Sequence, residues 1–390
     1  MKAEQSKLTM ASILSISMVG GVTTIITGIL PQLEHEYPTL PTTMIEWLVT
    51  AANLSALVTL LTNSWFTKRW GIKRTVITGL IVSMLAGTAP LFSHQFAGLM
   101  FSRLVLGLGI GLFSPHAISL IVHVYSGDRQ ARLLGYQVGL GALGNAIFLA
   151  MAGVIVLSGW RNVFLLYLLL GLVALLAAAG LPEGTETPPT QTEKRPKLPL
   201  RNWGFVGLAF VTYLLIWGVQ LKLPSLFQER DLGGVSIANW TLSAMNIGGM
   251  AAGLTFGLLY RKYHRFTLVI GYAGAAITTF LLLLAHQAGP AIIAAVLFNF
   301  IYSYTGPYLV FRSQQGLAPQ LVNAMSSWLT IATIISAFFA PLLWNTLGQL
   351  GPGTVTDNTL LWTAVFLSLI AVSITMLFIR PHTAPIRKKE

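Results

Sequence analysis

The stretch SWFTKRWGIKR, Ser64 to Arg74, carries four cations and no acid, and an apolar run of membrane-crossing length flanks it on each side. Elsewhere the chain is poor in charge. Of 390 residues 54% are hydrophobic and 9% charged, whereas soluble domains carry about 25% charged residues. Cations gathered in a short loop between apolar runs are the pattern that orients polytopic membrane proteins. About 20 apolar residues cross roughly 30 Å of hydrocarbon, and only helices or closed barrels satisfy their backbone there. The runs are long and continuous, so helices are expected.

Working outward from this loop, apolar runs and polar breaks predict twelve spans near 8–30, 44–66, 75–92, 96–124, 133–157, 163–181, 203–221, 237–259, 266–285, 290–311, 323–347 and 359–379. The polar, proline-rich stretch LPEGTETPPTQTEKRPKLPLRN, Leu181 to Asn202, divides them six and six. The expected organisation is a six-helix bundle over 1–181, a linker over 182–202 and a second six-helix bundle over 203–390. With both termini in the cytoplasm, 20 of the 24 Lys and Arg residues fall on the inner side; Arg161, Lys222 and Arg230 fall outside and Arg103 inside a span. This asymmetry predicts a multi-pass plasma-membrane protein with cytoplasmic termini.

The net charge of +12 does not read as a nucleic-acid surface, because the cations sit in short loops rather than on a compact domain. Zero cysteines exclude disulfides and thiolate metal sites. The first apolar run, Leu8 to Leu30, is too long for a signal-peptide core and is expected to stay as span 1. No P-loop, HExxH or CxxC is present, and no paired acids or metal ligands fall inside the spans, so neither an enzyme nor an ATP-driven pump is expected.

The halves echo each other. GLLYRKYHR, Gly257 to Arg265, holds the place in the second half that Ser64 to Arg74 holds in the first. Span 4 carries Ser114-Pro115-His116 and span 10 carries Gly306-Pro307-Tyr308, each a helix breaker short of a basic end. Repeated halves with interrupted helices in matching places point to a transporter whose site lies between them.

These residues resemble the major facilitator superfamily. Arg69, Gly71, Lys73 and Arg74 fall on the family's basic loop between spans 2 and 3. Arg103, Gly107 and Gly109 look like its span 4 signature, and GWRNVF, Gly159 to Phe164, is similar to its common entry to span 6. The resemblance implies two rocking halves around a central cavity, with this loop as part of the cytoplasmic gate. The chain departs from the pattern where Lys68 and Arg261 stand in the positions of the family's latch acid. Asp128 is the nearest first-half acid, and a pair with Arg69 or Lys68 is expected. The family's span 5 Gly-Pro signature is missing; the four glycines of GYQVGLGALGNAIF, Gly135 to Phe148, read as a packing face.

Candidate site residues follow from polarity inside spans. Arg103 is an ionisable group in a span and a binding candidate by default, or else a structural brace on backbone carbonyls. His116 is a candidate for binding and for proton coupling, with His123 on the same face and Glu46 at the outer end of span 2 as further proton candidates. Asn299, Tyr302 and Tyr308 in broken span 10, and Tyr213, Trp217 and Gln220 on one face of span 7, suit an amphipathic organic ligand, or else pack against neighbouring helices. Among the 12 acids only Glu46 is placed near the cavity, which disfavours cationic drugs. The expected function is secondary or facilitated transport of an amphipathic organic anion, by a monomer that needs no cofactor and couples at most to protons. Multidrug efflux is the alternative within transport, and a non-transporting membrane receptor the alternative from another class.

Overall fold

The structure is a computed structural model and describes residues 7–183 and 198–379. Those residues contain twelve helices long and apolar enough to cross a membrane: Lys7–Glu36, Thr42–Trp70, Ile72–Leu91, Phe96–Val124, Gly127–Ser158 and Trp160–Gly180, then Leu200–Glu229, Gly234–Tyr263, Phe266–Leu284, Ala288–Gln314, Ala324–Gly348 and Val355–Ile379. They are spans 1 to 12 below. Among the described residues there is no strand. The protein is an all-α, multi-pass membrane protein. Most of the expected linker, 184–197, lies outside the described residues.

The even spans run back from the odd ones, so the 2–3 and 8–9 loops share one end of the molecule, the basic end, and residues such as Glu46 and Lys222 share the far end. Both basic loops turn through a positive φ. Gly71 sits at 80°, and His264, in the matching position, is forced to 46°, a conformation that glycine adopts freely and histidine does not.

Span 6 opens as a 3-10 stretch (Trp160–Leu168) before its α-helix (Leu169–Gly180), and spans 1, 4 and 10 are interrupted at readable places. Span 1 passes from α-helix (Lys7–Met18) into a 3-10 stretch (Val22–Ile29) after Gly20-Gly21. Span 4 breaks between Phe113 and His116, at Ser114-Pro115. Span 10 breaks at Ser303-Tyr304, four residues before Pro307, where a proline ring removes room for the i−4 carbonyl. The break therefore lies one turn ahead of the expected Gly306-Pro307.

Within the first six spans, span 2 packs on span 4 and span 3 on span 4; within the last six, span 9 packs on spans 10 and 12 and span 7 on span 11. The two sets meet along two seams, span 2 against span 11 and span 5 against span 8. Each set ties its own far end with an ion pair: Arg161 Nη2 to Glu36 Oε1 at 2.8 Å, and Arg230 Nη2 to Asp357 Oδ1 at 2.5 Å.

Candidate functional site

The polar links described between the halves all lie at the far end or in mid-span. On the first seam Lys222 Nζ stands 2.6 Å from Glu46 Oε1, with side-chain exposures of 2% and 1%. Asn345 of span 11 closes the group, accepting from Lys222 Nζ at 2.7 Å and donating to Glu46 Oε2 at 2.6 Å. Next to it Trp47 stacks on Phe338 at 5.5 Å and donates to the Phe338 carbonyl. On the second seam Ser236 and Ser243 of span 8 donate to the carbonyls of Gly153 and Ala146 of span 5. Asn239 packs where a side chain at Gly28 would stand and lies against Gly153.

The two seams are copies. EWLVTAANL, Glu46 to Leu54, opens span 2, and NWTLSAMNI, Asn239 to Ile247, opens span 8. Across this repeat Asn239 takes the place of Glu46, and it packs on Gly28 of span 1 and Gly153 of span 5, as Glu46 packs on Lys222 of span 7 and Asn345 of span 11. One seam is charged and its twin is neutral. The repeat contains Asn246, whereas Asn345 lies outside it, and neither stands out by mid-span polarity alone.

Toward the basic end the second seam parts. Gly135, Gly139, Ala146 and Gly153 fall on one face of span 5 at about 100° per residue, and Asn239, Asn246, Gly253 and Gly257 on one face of span 8. A side chain at Gly153 would touch Asn239 and Trp240, whereas Gly135, Gly139, Gly253 and Gly257 face open space. The structure is thus closed at the far end and open at the basic end.

Where the seams close, a small polar cavity of about 40 Å³ is bounded by Thr24, Thr27, Asn145, Gln220 and Asn246. Thr24 Oγ1 donates to Asn145 Oδ1 at 3.0 Å, and Asn145 Nδ2 donates across the halves to Asn246 Oδ1 at 3.3 Å. The buried Thr27 hydroxyl has no partner in the described structure. Nearer the basic end a second cavity, about 320 Å³, is walled by Tyr213, Gly306, Leu309, Gln314, Leu329, Thr330 and Thr333. Amides, hydroxyls and apolar side chains line both cavities.

The sequence candidates divide accordingly. Tyr213 and Gln220 line the two cavities. Trp217 is half-buried and packs against the main hydrophobic core. Arg103 is 1% exposed and spends its donors internally: Nε on Leu48 O at 2.8 Å, Nη2 on Thr23 O at 2.8 Å and Nη1 on Tyr167 Oη at 2.6 Å, while Tyr167 donates to Val22 O. Carbonyls released by the 3-10 stretch of span 1 thereby find donors in a region without water. Asn299 donates to Met245 O and Tyr302 to Thr212 O, both within the last six spans; Tyr308 is buried against Tyr260. His116 is buried, 3.4 Å from Thr67 Oγ1 and 3.3 Å from Ser119 Oγ, and exposed His123 meets Ser119 O.

At the basic end, Lys68, Arg69, Arg74, Arg261 and Asp128 are exposed. The expected partnership of Asp128 with Arg69 or Lys68 is not made among the described residues. Glu183, at the end of span 6, reaches the loop instead, 3.5 Å from Lys73.

A family model described as Major Facilitator Superfamily matches residues 12–341. The chain belongs to that superfamily. Among its relatives, Protein TsgA of Salmonella typhi is 27% identical over 346 residues, 85% of this chain and 86% of that one. The methylenomycin A resistance proteins of Bacillus subtilis and Streptomyces coelicolor are each 30% identical over 45% and 46% of this chain. The match spans only 37% of either relative's length. Of solved structures, a bacterial homologue of the human lysosomal transporter Spinster, inward-facing and unoccupied, superposes with a TM-score of 0.78 at 15% identity, covering 95% of this chain and 96% of that one. The D-xylose-proton symporter superposes with a TM-score of 0.75 at 15% identity, covering 94% and 96%. The chain shares the fold of these two solved proteins.

Proposed function

We propose that this transporter moves an amphipathic organic anion across the plasma membrane by alternating access. Residues 1–181 and 203–390 rock as two bodies joined by 182–202, with both termini and the basic end in the cytoplasm. The structure is then inward-facing. The observation that carries the substrate class is where the span charges are spent. Glu46 is neutralised by Lys222, and the two described cavities are lined by amides, hydroxyls and apolar groups. A cation entering them meets no counter-charge, which in low dielectric is costly. An anionic head group instead approaches through a mouth ringed by Lys68, Arg69, Arg261 and their neighbours, whose field draws anions. Tyr213, Leu309 and Leu329 suit its apolar body, and the Asn145–Asn246 roof suits its polar groups.

Proton coupling belongs to the same reading, with His116, His123 and Glu46 as its candidate groups and no cofactor required; the working unit is a monomer. Drug efflux is the second reading, favoured by the likeness to the two methylenomycin A resistance proteins. Thermal-shift and equilibrium binding with three amphipaths sharing one hydrocarbon body, a carboxylate, its carboxamide and the amine, separates the two. The anion reading expects the carboxylate to bind at least about tenfold tighter than the carboxamide, a 1.4 kcal/mol difference. Preference for the amine would replace it with efflux of cationic drugs.

A further inference from the structure

The charged seam has an unusual economy. Two full charges, nearly inaccessible, are contributed by opposite halves: Glu46 by span 2 and Lys222 by span 7, with Asn345 of span 11 bonded to both. The remaining carboxylates near them are Glu34 on span 1, which interacts electrostatically with both Lys222 and Glu46, and Glu229 at the end of span 7, engaged by Thr354 and Thr356. The twin seam performs the same closure with Asn239 between Gly28 and Gly153. Closure therefore does not need charge. A pair of buried ions repays its desolvation only while both partners are present, and shape-filling neutral groups do at least as well for stability alone.

We propose that Glu46, Lys222 and Asn345 form a conditional latch on the outer gate, one that holds the outward path shut while the charges of Glu46 and Lys222 balance and releases it when one of them is left unpaired, and that the Asn239 seam is its unconditional counterpart. When the halves part at this end, each charge gains water and loses its partner. Neutralising either charge leaves the other buried alone in the closed state but hydrated in the open one, so it drives the protein toward the outward-open state. Neutralising both removes the conflict and lets the gate close again. This inference rests on the alternating-access reading and not on the substrate class.

The chain has no cysteine, so spin labels at Thr39→Cys and Pro352→Cys, exposed outer loops of the two halves, report the outer gate in purified full-length protein. Glu46→Gln and Lys222→Met, each alone, are expected to raise the ratio of long to short label distances at least about tenfold. The double variant Glu46→Gln/Lys222→Met and the exchange Glu46→Lys/Lys222→Glu are each expected to return the wild-type distribution. A purely structural pair would instead lower the melting temperature of the single variants without moving the distances, and that outcome overturns the latch. Where the single variants fail to fold, Glu46→Asp, which keeps both charges but draws the carboxylate away from Lys222, decides: an outward shift of the distances supports the latch, and a wild-type distribution overturns it. Binding of the amphipath series is read separately, so loss of the substrate reading and loss of the latch are distinguishable.

Discussion

The Asn239 amide occupies the space that a side chain at Gly28 would need. Because Asn239 is fully buried, it has no room to swing aside. Gly28→Ala should therefore wedge the neutral seam apart at the outer end. The expected outcome is a shift of the Thr39/Pro352 distance toward the outward-open state at every pH, in contrast to a charge-dependent response at the other seam. An unchanged distance with full stability would show that the seam tolerates a methyl group there.

Arg103 illustrates how a sequence argument from polarity alone leaves two roles open. Its guanidinium braces spans 1, 2 and 6 through Thr23 O, Leu48 O and Tyr167 Oη. Deleting it strands buried carbonyls, and hydrogen bonds to charged groups contribute about 1.5–3 kcal/mol each. Arg103→Ala should lower the melting temperature markedly and reduce affinity for the carboxylate and the carboxamide amphipath by similar factors. A selective loss of carboxylate binding would place Arg103 in the ligand's path instead.

Twelve spans and the basic loops were legible because membrane thickness and charge asymmetry impose long-range patterns on composition. The seams were not, because the chemistry there depends on which helices meet. Glu46 was noticed for its charge, yet its partner Lys222 lies in a distant span and Asn345 carries no charge to notice. Similarly, Asn299 and Tyr302 resemble ligand contacts by type, but both donate to carbonyls of neighbouring spans, those of Met245 and Thr212. The repeat from Glu46 to Leu54 and Asn239 to Ile247 was present in the sequence throughout, its meaning hidden by the change from a charged to a neutral first residue.

The Asn145–Asn246 bond crosses the halves at the cavity roof, so the proposed alternating access requires it to break and remake. Asn145→Ala removes a donor on which neither helix depends for its backbone bonding. The expected outcome is a several-fold weaker affinity for the carboxylate amphipath with little change in melting temperature. By comparison Asn299→Ala, which removes a bond internal to the last six spans, should lower the melting temperature and leave the affinity of the folded fraction near wild type. If the two variants behave alike, the roof has no special part in binding.

Gly139 of span 5 and Gly253 of span 8 lie on the faces that meet at the outer end, yet face open space. In an outward-open state the same faces have to close at the cytoplasmic end, bringing helix backbones together where only small residues permit close approach. A Cβ at Gly139 meets no atom within 4 Å in this structure, so a leucine there starts from open space. In the closed cytoplasmic seam it would meet span 8, and overpacking of this kind costs about 1–3 kcal/mol, enough to shift a two-state ratio roughly 5- to 150-fold. Gly139→Leu should thus preserve the melting temperature and ligand binding from the cytoplasmic side while abolishing transport. Spin labels at Lys68→Cys and Arg261→Cys, on opposite halves of the cytoplasmic mouth, should keep their long distance under conditions that shorten it in the wild type. Normal transport by Gly139→Leu would mean that the span 5 glycines only face lipid, and that the cytoplasmic gate closes along another pair of spans.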